Sequence, residues 1–252
     1  MPEDGWVVGC GDEKRVRSVL ESVSCRTRTY GLEPQNEVRA EDISYDENGC
    51  ALFTATLYGH PLTDVELQVP GEHNVKNALA VIAVASLFSL PMSLVAETLH
   101  EFRGVHRRYE LTSVTDGVRV YQDYGHNPTE TRNVLHVARI QAPQKLWAVL
   151  QPHTYSRVKT LFQDYIHCCD LADDVLVTDI FAAREKDPGD IHATMLVEAM
   201  QKEGVPAHYT PTFDDAEAYL RAHWQPGDLV ITMSCGNINL LNDQLQKHGE
   251  EG

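Results

Sequence analysis

Three polar loops contain the side chains of this sequence that are best suited to chemistry. The loops, residues 123–128, 151–157 and 234–238, each follow a run of apolar and β-branched residues. In an open α/β sheet, ligands bind in the crevice outside the carboxyl ends of the strands. One such loop alone is more often only a turn or a helix cap, but three loops at one sheet edge favour a substrate site. The spacing leaves the identity of the substrate open.

Arg157 has the most specific chemistry of the residues in these loops. It follows His153 closely and lies where we expect a helix to start. A guanidinium and the unpaired backbone N–H groups of a first helical turn can together bind an anion. We therefore expect Arg157 to bind an anionic group, with a solvated surface arginine as the alternative.

A second cluster, His73, Asn74 and Asn77, opens another predicted helix. Asn74 and Asn77 are three residues apart, so their amides can share one helix face. Amides offer paired donor and acceptor edges that suit a purine. The alternative left open is that Glu72, His73 or Asn74 only caps the helix.

Two adjacent arginines, Arg107 and Arg108, stand in a connecting stretch of the sequence. Charged pairs of this kind are usually solvated surface. A guanidinium beside a nucleotide phosphate is the sharper possibility. The other histidines show no spacing that would bind a metal, and Cys168 and Cys169 are expected to lie on the packing face of a helix. We predict no metal site among these residues.

The elements that position these residues fall into two segments, with a predicted boundary near Arg108. The first segment, residues 1–108, should begin with a strand at 6–8, a helix from about Asp12 and a strand at 27–30. Turn residues then separate three extended stretches, which predicts an antiparallel meander within a mixed sheet. These stretches are residues 37–44, 50–58 and 62–69, and helices at 74–88 and 92–102 follow them.

The second segment, residues 109–252, alternates β-branched runs with helical stretches. This alternation predicts an α/β fold with a Rossmann-like, doubly wound sheet. The predicted strands are residues 118–122, 146–150, 175–178, 207–209 and 229–233.

Composition excludes several classes of protein. The chain has 252 residues, 42% hydrophobic and 23% charged, which fits one large or two ordinary globular domains. Its formal net charge is −16 and it has no basic run, so nucleic acid is a poor candidate partner. Its longest apolar run is far shorter than the ~20 residues that span a bilayer, and its amino terminus lacks the features of a secretory signal. We expect a cytoplasmic protein with no membrane segment.

Five stretches of the sequence resemble the Mur ligase family of ATP-dependent amide ligases, in the order that the family has them. The resemblance covers nearly the whole chain and is strongest to the branch that joins L-alanine to UDP-N-acetylmuramate. The five stretches are residues 70–80, 102–110, 123–130, 151–157 and 227–233.

The resemblance implies that two of the three family domains are represented, the middle ATPase domain in part and the carboxy-terminal domain. The middle domain should contain a G-x-x-x-x-G-K-[ST] loop that holds the phosphates of ATP. No Gly-Lys dipeptide occurs in this sequence. We expect this loop, the magnesium ligands and the UDP-sugar domain to lie upstream of Met1, and we expect this chain alone to be inactive.

The resemblance also implies the reaction. ATP and Mg²⁺ phosphorylate the carboxylate of UDP-N-acetylmuramate, and the amino group of L-alanine attacks the acyl phosphate to form the amide. The residues that match catalytic positions are Arg108, His126 and Arg157. Those that match ATP-binding positions are His73, Asn74, Asn77, Arg108 and Asp123, with Asp123 on the ribose. Those that match the amino-acid site are Tyr124, His126, His153 and Arg157.

The sequence departs from the family pattern at Asn127, where relatives often have histidine, at Thr154, where many have arginine, and in the loop that begins at Ser234. The substitution at Thr154 leaves Arg157 to carry more of the positive charge. Two other functions stay open, a related ligase that attaches a recycled peptide to the same sugar and a non-catalytic nucleotide or amino-acid binding module.

Overall fold

The computed structural model describes residue 2 and residues 4–250, with side chains through residue 247. The chain forms two compact units, Met1–Arg103 and Gly104–Gly252. This division falls close to the boundary that the sequence suggests near Arg108. Whether the two units fold separately at that point stays a prediction.

The first unit has a mixed sheet with strand order β1-β2-β3-β4-β5. Strands β1 to β3 are parallel, and β3, β4 and β5 form an antiparallel meander. The predicted meander is therefore confirmed. The strands are β1 (Trp6–Cys10), β2 (Arg26–Gly31), β3 (Val38–Tyr45), β4 (Cys50–Leu57) and β5 (His60–Pro70), and helix α1 (Lys14–Ser22) connects β1 to β2.

Two helices, α2 (Glu72–Leu87) and α3 (Met92–Glu101), follow the first sheet. Helix α2 buries Leu79 and Ile82 completely in the core of the unit, because apolar residues recur at helical spacing on its inner face. The helix begins directly after Gly71, which has a φ of 99°. This left-handed conformation favours glycine and turns the chain sharply from β5 into α2.

The second unit has a sheet with strand order β10-β9-β8-β11-β7-β6. All of its pairs are parallel except that between β6 and β7, which is antiparallel. Five of the strands match the predicted ones, and β6 is an additional edge strand. The strands are β6 (Glu110–Thr115), β7 (Val118–Asp123), β8 (Leu146–Leu150), β9 (Asp174–Val177), β10 (Ala207–Tyr209) and β11 (Leu229–Met233).

Helices cover both faces of this sheet. Strand β8 shows the alternation: Leu146 and Leu150 pack in one buried cluster, and Trp147 and Val149 pack in another. The predicted doubly wound architecture is therefore confirmed. The helices are α4 (Pro128–Ile140), α5 (Tyr155–Thr160), α6 (Phe162–Ile166), α7 (Ala193–Lys202), α8 (Phe213–His223) and α9 (Asn239–Glu250).

The two adjacent cysteines lie inside the first of these clusters, but in the turn that follows α6, so the prediction that they lie on a helix is wrong. Cys168 and Cys169 are buried, and their sulfur atoms are 3.6 Å apart as free thiols. Within the residues that the structure describes, no helix is both long enough and apolar enough to span a membrane.

Candidate functional site

The three polar loops of the second unit meet at one edge of the sheet. Strand β11 lies between β7 and β8 and is parallel to both, so the carboxyl ends of the three strands are neighbours. The loops at 123–128, 151–157 and 234–238 leave the sheet at these ends. Chain connections leave a crevice where the strand order reverses, and this edge is such a position.

Arg108 enters this edge beside two of the predicted site residues. Its Nη1 lies 3.8 Å from Oδ1 of Asp123, and its guanidinium carbon is 5.4 Å from the centroid of the Tyr124 ring. The Arg108 side chain is 48% exposed, so its guanidinium is accessible to a phosphate.

Asp123 is buried and organises the backbone around it. Oδ1 accepts a hydrogen bond from Gly125 N at 2.6 Å, and Oδ2 accepts one from Tyr109 N at 2.9 Å. Burial raises the pKa of Asp123, although these hydrogen bonds and Arg108 favour the charged form. A carboxylate oxygen can accept a second hydrogen bond, so the predicted ribose contact is compatible with these bonds and stays a prediction.

Arg107 is a structural tie in the second unit. Its Nη2 donates hydrogen bonds to the carbonyl oxygens of Ser234, at 3.1 Å, and Gly236, at 3.0 Å. Its guanidinium carbon also lies 4.9 Å from the centroid of the Tyr124 ring. The interpretation of the arginine pair as solvated surface is therefore wrong for Arg107, which fastens the residues before β6 to the loop after β11.

His126, His153 and Arg157 form a continuous group next to Tyr124. The centroids of the two imidazole rings are 5.8 Å apart, the same distance as between the rings of Tyr124 and His126. Arg157 Nη1 lies 3.1 Å from the carbonyl oxygen of His153 and 3.3 Å from its Nδ1. Arginine can only donate, so Nδ1 of His153 is the acceptor.

The environment of His153 favours its neutral form. Burial lowers the pKa of His153, and the positive charge of Arg157 and the neighbouring His126 lower it further. A neutral imidazole keeps the lone pair on Nδ1 that the hydrogen bond from Arg157 requires.

Helix α5 differs from the sequence expectation at its first turn. The helix begins at Tyr155, so Arg157 lies within the turn and does not start it. The backbone N–H of Ser156 is already bonded to Oε2 of Glu185 at 2.9 Å. The expectation that unpaired N–H groups of this turn bind the anion together with Arg157 is therefore wrong at Ser156, because a carboxylate of this chain already occupies that donor.

Glu185 and Phe181 are parts of this region that sequence reasoning misses. They follow β9, and the Phe181 ring stacks on His153 with centroids 5.7 Å apart and planes 15° from parallel. Hydrogen bonds from the Ser156 hydroxyl, the Thr154 hydroxyl and Ser156 N–H lower the pKa of Glu185 to about 2. The rule that singles out the other loops, a polar stretch at the carboxyl end of a strand, also applies to this one.

The loop after β11 approaches its neighbours too closely for any side chain at Gly236. A Cβ atom there would lie 2.5 Å from Oε1 of Gln151 and 2.9 Å from Cγ of Phe181. Gln151 Nε2 also donates to Oδ1 of Asn237 at 2.8 Å. The loops that follow β8, β9 and β11 are thus packed together at Gly236.

Two departures from the family pattern have local structural roles. Asn127 caps α4, since its Oδ1 accepts a hydrogen bond from Glu130 N at 3.0 Å. The hydroxyl of Thr154 donates to Oε1 of Glu185 at 2.5 Å.

The cluster at the start of α2 belongs to the first unit. Asn77 Nδ2 donates to Oδ1 of Asn74 at 3.1 Å, so the two amides share a face as predicted. Asn74 Nδ2 donates to the carbonyl oxygen of Pro70 at 2.8 Å. The N-cap residue is Gly71, so the alternative that Glu72, His73 or Asn74 occupies the N-cap position is wrong. The predicted adenine contacts of the cluster stay predictions.

No metal centre is found among residues 2 and 4–250. Within that part of the chain, His, Cys, Asp and Glu side chains form no group of three or more that could hold a metal ion.

Comparison with known proteins matches each of the two units to a domain of one family. Residues 1–85 match the Mur ligase middle domain, and residues 107–236 match the Mur ligase glutamate ligase domain. The UDP-N-acetylmuramate–L-alanine ligase of Acetivibrio thermocellus is 39% identical over 248 residues, which are 98% of this chain and 53% of that protein. The ligase of the same name from Caldanaerobacter subterraneus subsp. tengcongensis is 40% identical over 251 residues, which are 100% of this chain and 55% of that protein.

The fold agrees with a solved structure of the same class. The crystal structure of UDP-N-acetylmuramate–alanine ligase from Thermotoga maritima superposes with a TM-score of 0.78 at 25% identity, over 98% of this chain and 52% of that one. The two units thus correspond to two domains of the Mur ligases, the middle domain and the glutamate ligase domain. The chain belongs to the Mur ligase family. It spans about half the length of the relatives that it matches.

Proposed function

We propose that this chain is part of an ATP-dependent ligase that joins L-alanine to UDP-N-acetylmuramate. The observation that carries the proposal is the continuous row of Arg108, Tyr124, His126, His153 and Arg157 along one sheet edge. Relatives that have this activity in their names share about two fifths of the sequence. The residues of the row match the family positions that implied such a site.

The amino-acid side of the site is Arg157 with His153, His126 and Tyr124. Arg157 supplies a fixed positive charge that suits the carboxylate of L-alanine or the phosphate of the acyl phosphate. His153 holds that guanidinium in place through its carbonyl oxygen and Nδ1. The amino group of alanine would then be held for attack on the activated carboxyl, so catalysis rests on positioning and on stabilisation of charge.

Residues proposed to contact ATP occur in both units, with Arg108 and Asp123 in the second and His73, Asn74 and Asn77 in the first. ATP, when bound, supplies the phosphoryl group that activates the muramate carboxylate. The exposed guanidinium of Arg108 suits a phosphate. Asn77 is exposed on its helix and retains its amide oxygen for an adenine, while Asp123 would meet the ribose.

Mg²⁺ and UDP-N-acetylmuramate need partners besides the residues described above. In the family pattern, magnesium ligands and the G-x-x-x-x-G-K-[ST] loop come from the middle domain and the UDP-sugar is held by a further domain. We propose that these parts act together with this chain in the cytoplasm.

A chimeric ligase tests the proposal. The front half of a curated relative would be fused ahead of this chain, and phosphate release would be measured with ATP, Mg²⁺, UDP-N-acetylmuramate and either L-alanine or a short muropeptide. We expect release that depends on L-alanine. Release that depends on the peptide alone would assign the recycling reaction, and a soluble chimera that binds ATP but ligates neither would refute the ligase function of this half.

A further inference from the structure

Glu185 is bonded to the turn that contains two residues of the proposed site. Its Oε1 accepts hydrogen bonds from the hydroxyl groups of Thr154, at 2.5 Å, and Ser156, and its Oε2 accepts one from Ser156 N–H at 2.9 Å. All three donors lie at the start of α5. Hydrogen bonds to an ionised acceptor are about twice as strong as those between neutral groups. Glu185 thus anchors this turn through three hydrogen bonds.

The same two segments are joined again at Phe181. Its backbone N–H donates to the carbonyl oxygen of Pro152 at 2.8 Å, and its ring stacks on the ring of His153. The residues from Phe181 to Glu185 therefore hold the turn both before and after His153. Such a double attachment limits the conformations open to His153.

The attachment extends to the guanidinium of Arg157. Arg157 Nη1 is hydrogen-bonded to the backbone and to the ring of His153, so the direction of the guanidinium depends on where His153 is held. Both oxygens of Glu185 are already engaged with the turn. Glu185 therefore acts through the turn and has no need to touch a ligand itself.

We propose that Glu185 is a positioning residue, which fixes the turn at residues 153–157 so that His153 and Arg157 are presented together at the sheet edge. The benefit to catalysis rests on the proposed function, whereas the positioning itself is a property of this chain. The assignment also explains how the turn accommodates Thr154, since its hydroxyl is one of the donors to Glu185.

The charge states of the two residues support the geometry. The hydrogen bonds lower the pKa of Glu185 to about 2, so the anchor is ionised at neutral and mildly acidic pH. The pKa of His153 is lowered by burial, Arg157 and His126, and the negative charge of Glu185 opposes this effect. The pKa of His153 is therefore sensitive to the positions of both Arg157 and Glu185.

NMR spectroscopy of this chain tests the proposal without any enzymatic assay. Two quantities are measured. The first is the intensity of the nuclear Overhauser cross-peaks between the Arg157 side chain and the His153 ring, and the second is the pKa of His153. Two variants remove the anchor in different ways: Glu185→Ala removes the carboxylate, and Thr154→Val combined with Ser156→Ala removes the two hydroxyl donors but keeps the charge. Glu198→Gln is the matched control, since Glu198 is exposed on α7.

We expect both anchor variants to weaken the Arg157–His153 cross-peaks several-fold. Glu185→Ala should also lower the pKa of His153, because the opposing negative charge is lost. Glu185→Gln should give an intermediate result, since its amide oxygen still accepts from the hydroxyls but its NH₂ group cannot accept from Ser156 N–H. Glu198→Gln should match the wild type.

Cross-peaks of wild-type strength in both anchor variants would overturn the proposal. If Glu185→Ala does not fold, the double variant and Glu185→Gln decide the matter. The same substitutions in the chimeric ligase separate the two proposals. Weakened cross-peaks with an unchanged KM and kcat for L-alanine would retain the positioning role and refute the amino-acid site.

Discussion

Single residues at the sheet edge are held in place by hydrogen bonds and by neighbouring charges. Arg157 is hydrogen-bonded to His153, and Glu185 is hydrogen-bonded to Thr154 and Ser156. Arg108 lies beside Asp123. The places of Asp123 and Arg157 after predicted strands were enough to predict both at one edge, whereas Arg108 was linked to the site only by the resemblance to the family. The sequence could not show that Glu185 contacts the turn at residues 154–156, because the contacts of a carboxylate in a long loop depend on the tertiary structure.

Substitution of Arg157 is the most direct test of the proposed amino-acid site. We expect Arg157→Ala in the chimeric ligase to lower kcat/KM for L-alanine about tenfold to hundredfold, the cost of a lost charged hydrogen bond of roughly 1.5–3 kcal/mol. The measurement is kcat/KM for alanine and for ATP separately. Arg132→Ala, an exposed arginine on α4, is the control. Equal losses for both substrates would assign Arg157 to the transition state, and unchanged values would show a surface role.

Acid should release the turn at Glu185 in a definite pH range. The pKa of Glu185 is lowered to about 2 in the folded chain, against about 4.3 for an ordinary glutamate. The unfolded chain therefore binds the proton first as pH falls, and the stabilisation, fully present above the ordinary value, is lost as pH falls toward 2. We expect the difference in unfolding free energy between wild type and Glu185→Gln to be constant above about pH 5 and to shrink below it. A difference that does not vary with pH would contradict this cause.

Among the elements, the parallel strands of the second unit were the most predictable and the antiparallel edge strand β6 was the least. The observed bounds of β8 and β11 are the predicted ones, because buried parallel strands appear in sequence as short apolar runs. The bounds of the edge strand β10 were also predicted correctly. Strand β6 was not predicted, since its large apolar residues, Leu111 and Val114, are exposed. The turn between β6 and β7 does have a sequence signal, the Asp-Gly dipeptide at residues 116 and 117, which favours a two-residue hairpin turn. In the structure, Asp116 and Gly117 both have the positive φ that such a turn requires.

The packing of the loops after β8, β9 and β11 depends on the absence of a side chain at Gly236. Gly236→Ala would place a Cβ atom 2.5 Å from Oε1 of Gln151 and 2.9 Å from Cγ of Phe181. We expect a loss of about 1–3 kcal/mol in unfolding free energy, as for other overpacked sites, measured by urea denaturation. Gly189→Ala is the comparison, because it has open space but a φ of 72° and reports only the cost of that conformation. A smaller effect at Gly236 than at Gly189 would contradict the steric explanation.

At the scale of the whole molecule, two units with separate cores divide the chain. Each unit has its own buried clusters and its own sheet. Sequence predicted two α/β segments because strand and helix patterns change character near Arg108. It could not give the order of strands in the sheets, since that order depends on pairing between residues far apart in the chain.

The second unit should fold without the first. We expect residues 104–252 to give a cooperative thermal transition and a mixed α/β circular dichroism spectrum, because their strands and helices form complete buried clusters. The matched comparison is the whole chain under the same conditions. An unfolded spectrum for residues 104–252 would show that the two units depend on each other for stability.

This chain on its own should not turn over ATP. Its sequence has no G-x-x-x-x-G-K-[ST] loop, and the loss of such a loop removes most of the stabilisation of the transferring phosphoryl group. The measurement is phosphate release with UDP-N-acetylmuramate, ATP and Mg²⁺, with and without L-alanine. Release above background that depends on L-alanine would contradict the prediction.

The position of β11 also has a consequence for synthesis on the ribosome. This strand is the last in sequence of the six in its sheet, yet it lies between β7 and β8. Until it emerges from the exit tunnel, those two strands have an unfilled gap between them and their facing edges are open to other chains. The unit can therefore close only after translation has passed β11, and a ribosome that stalls before this strand would expose an aggregation-prone intermediate.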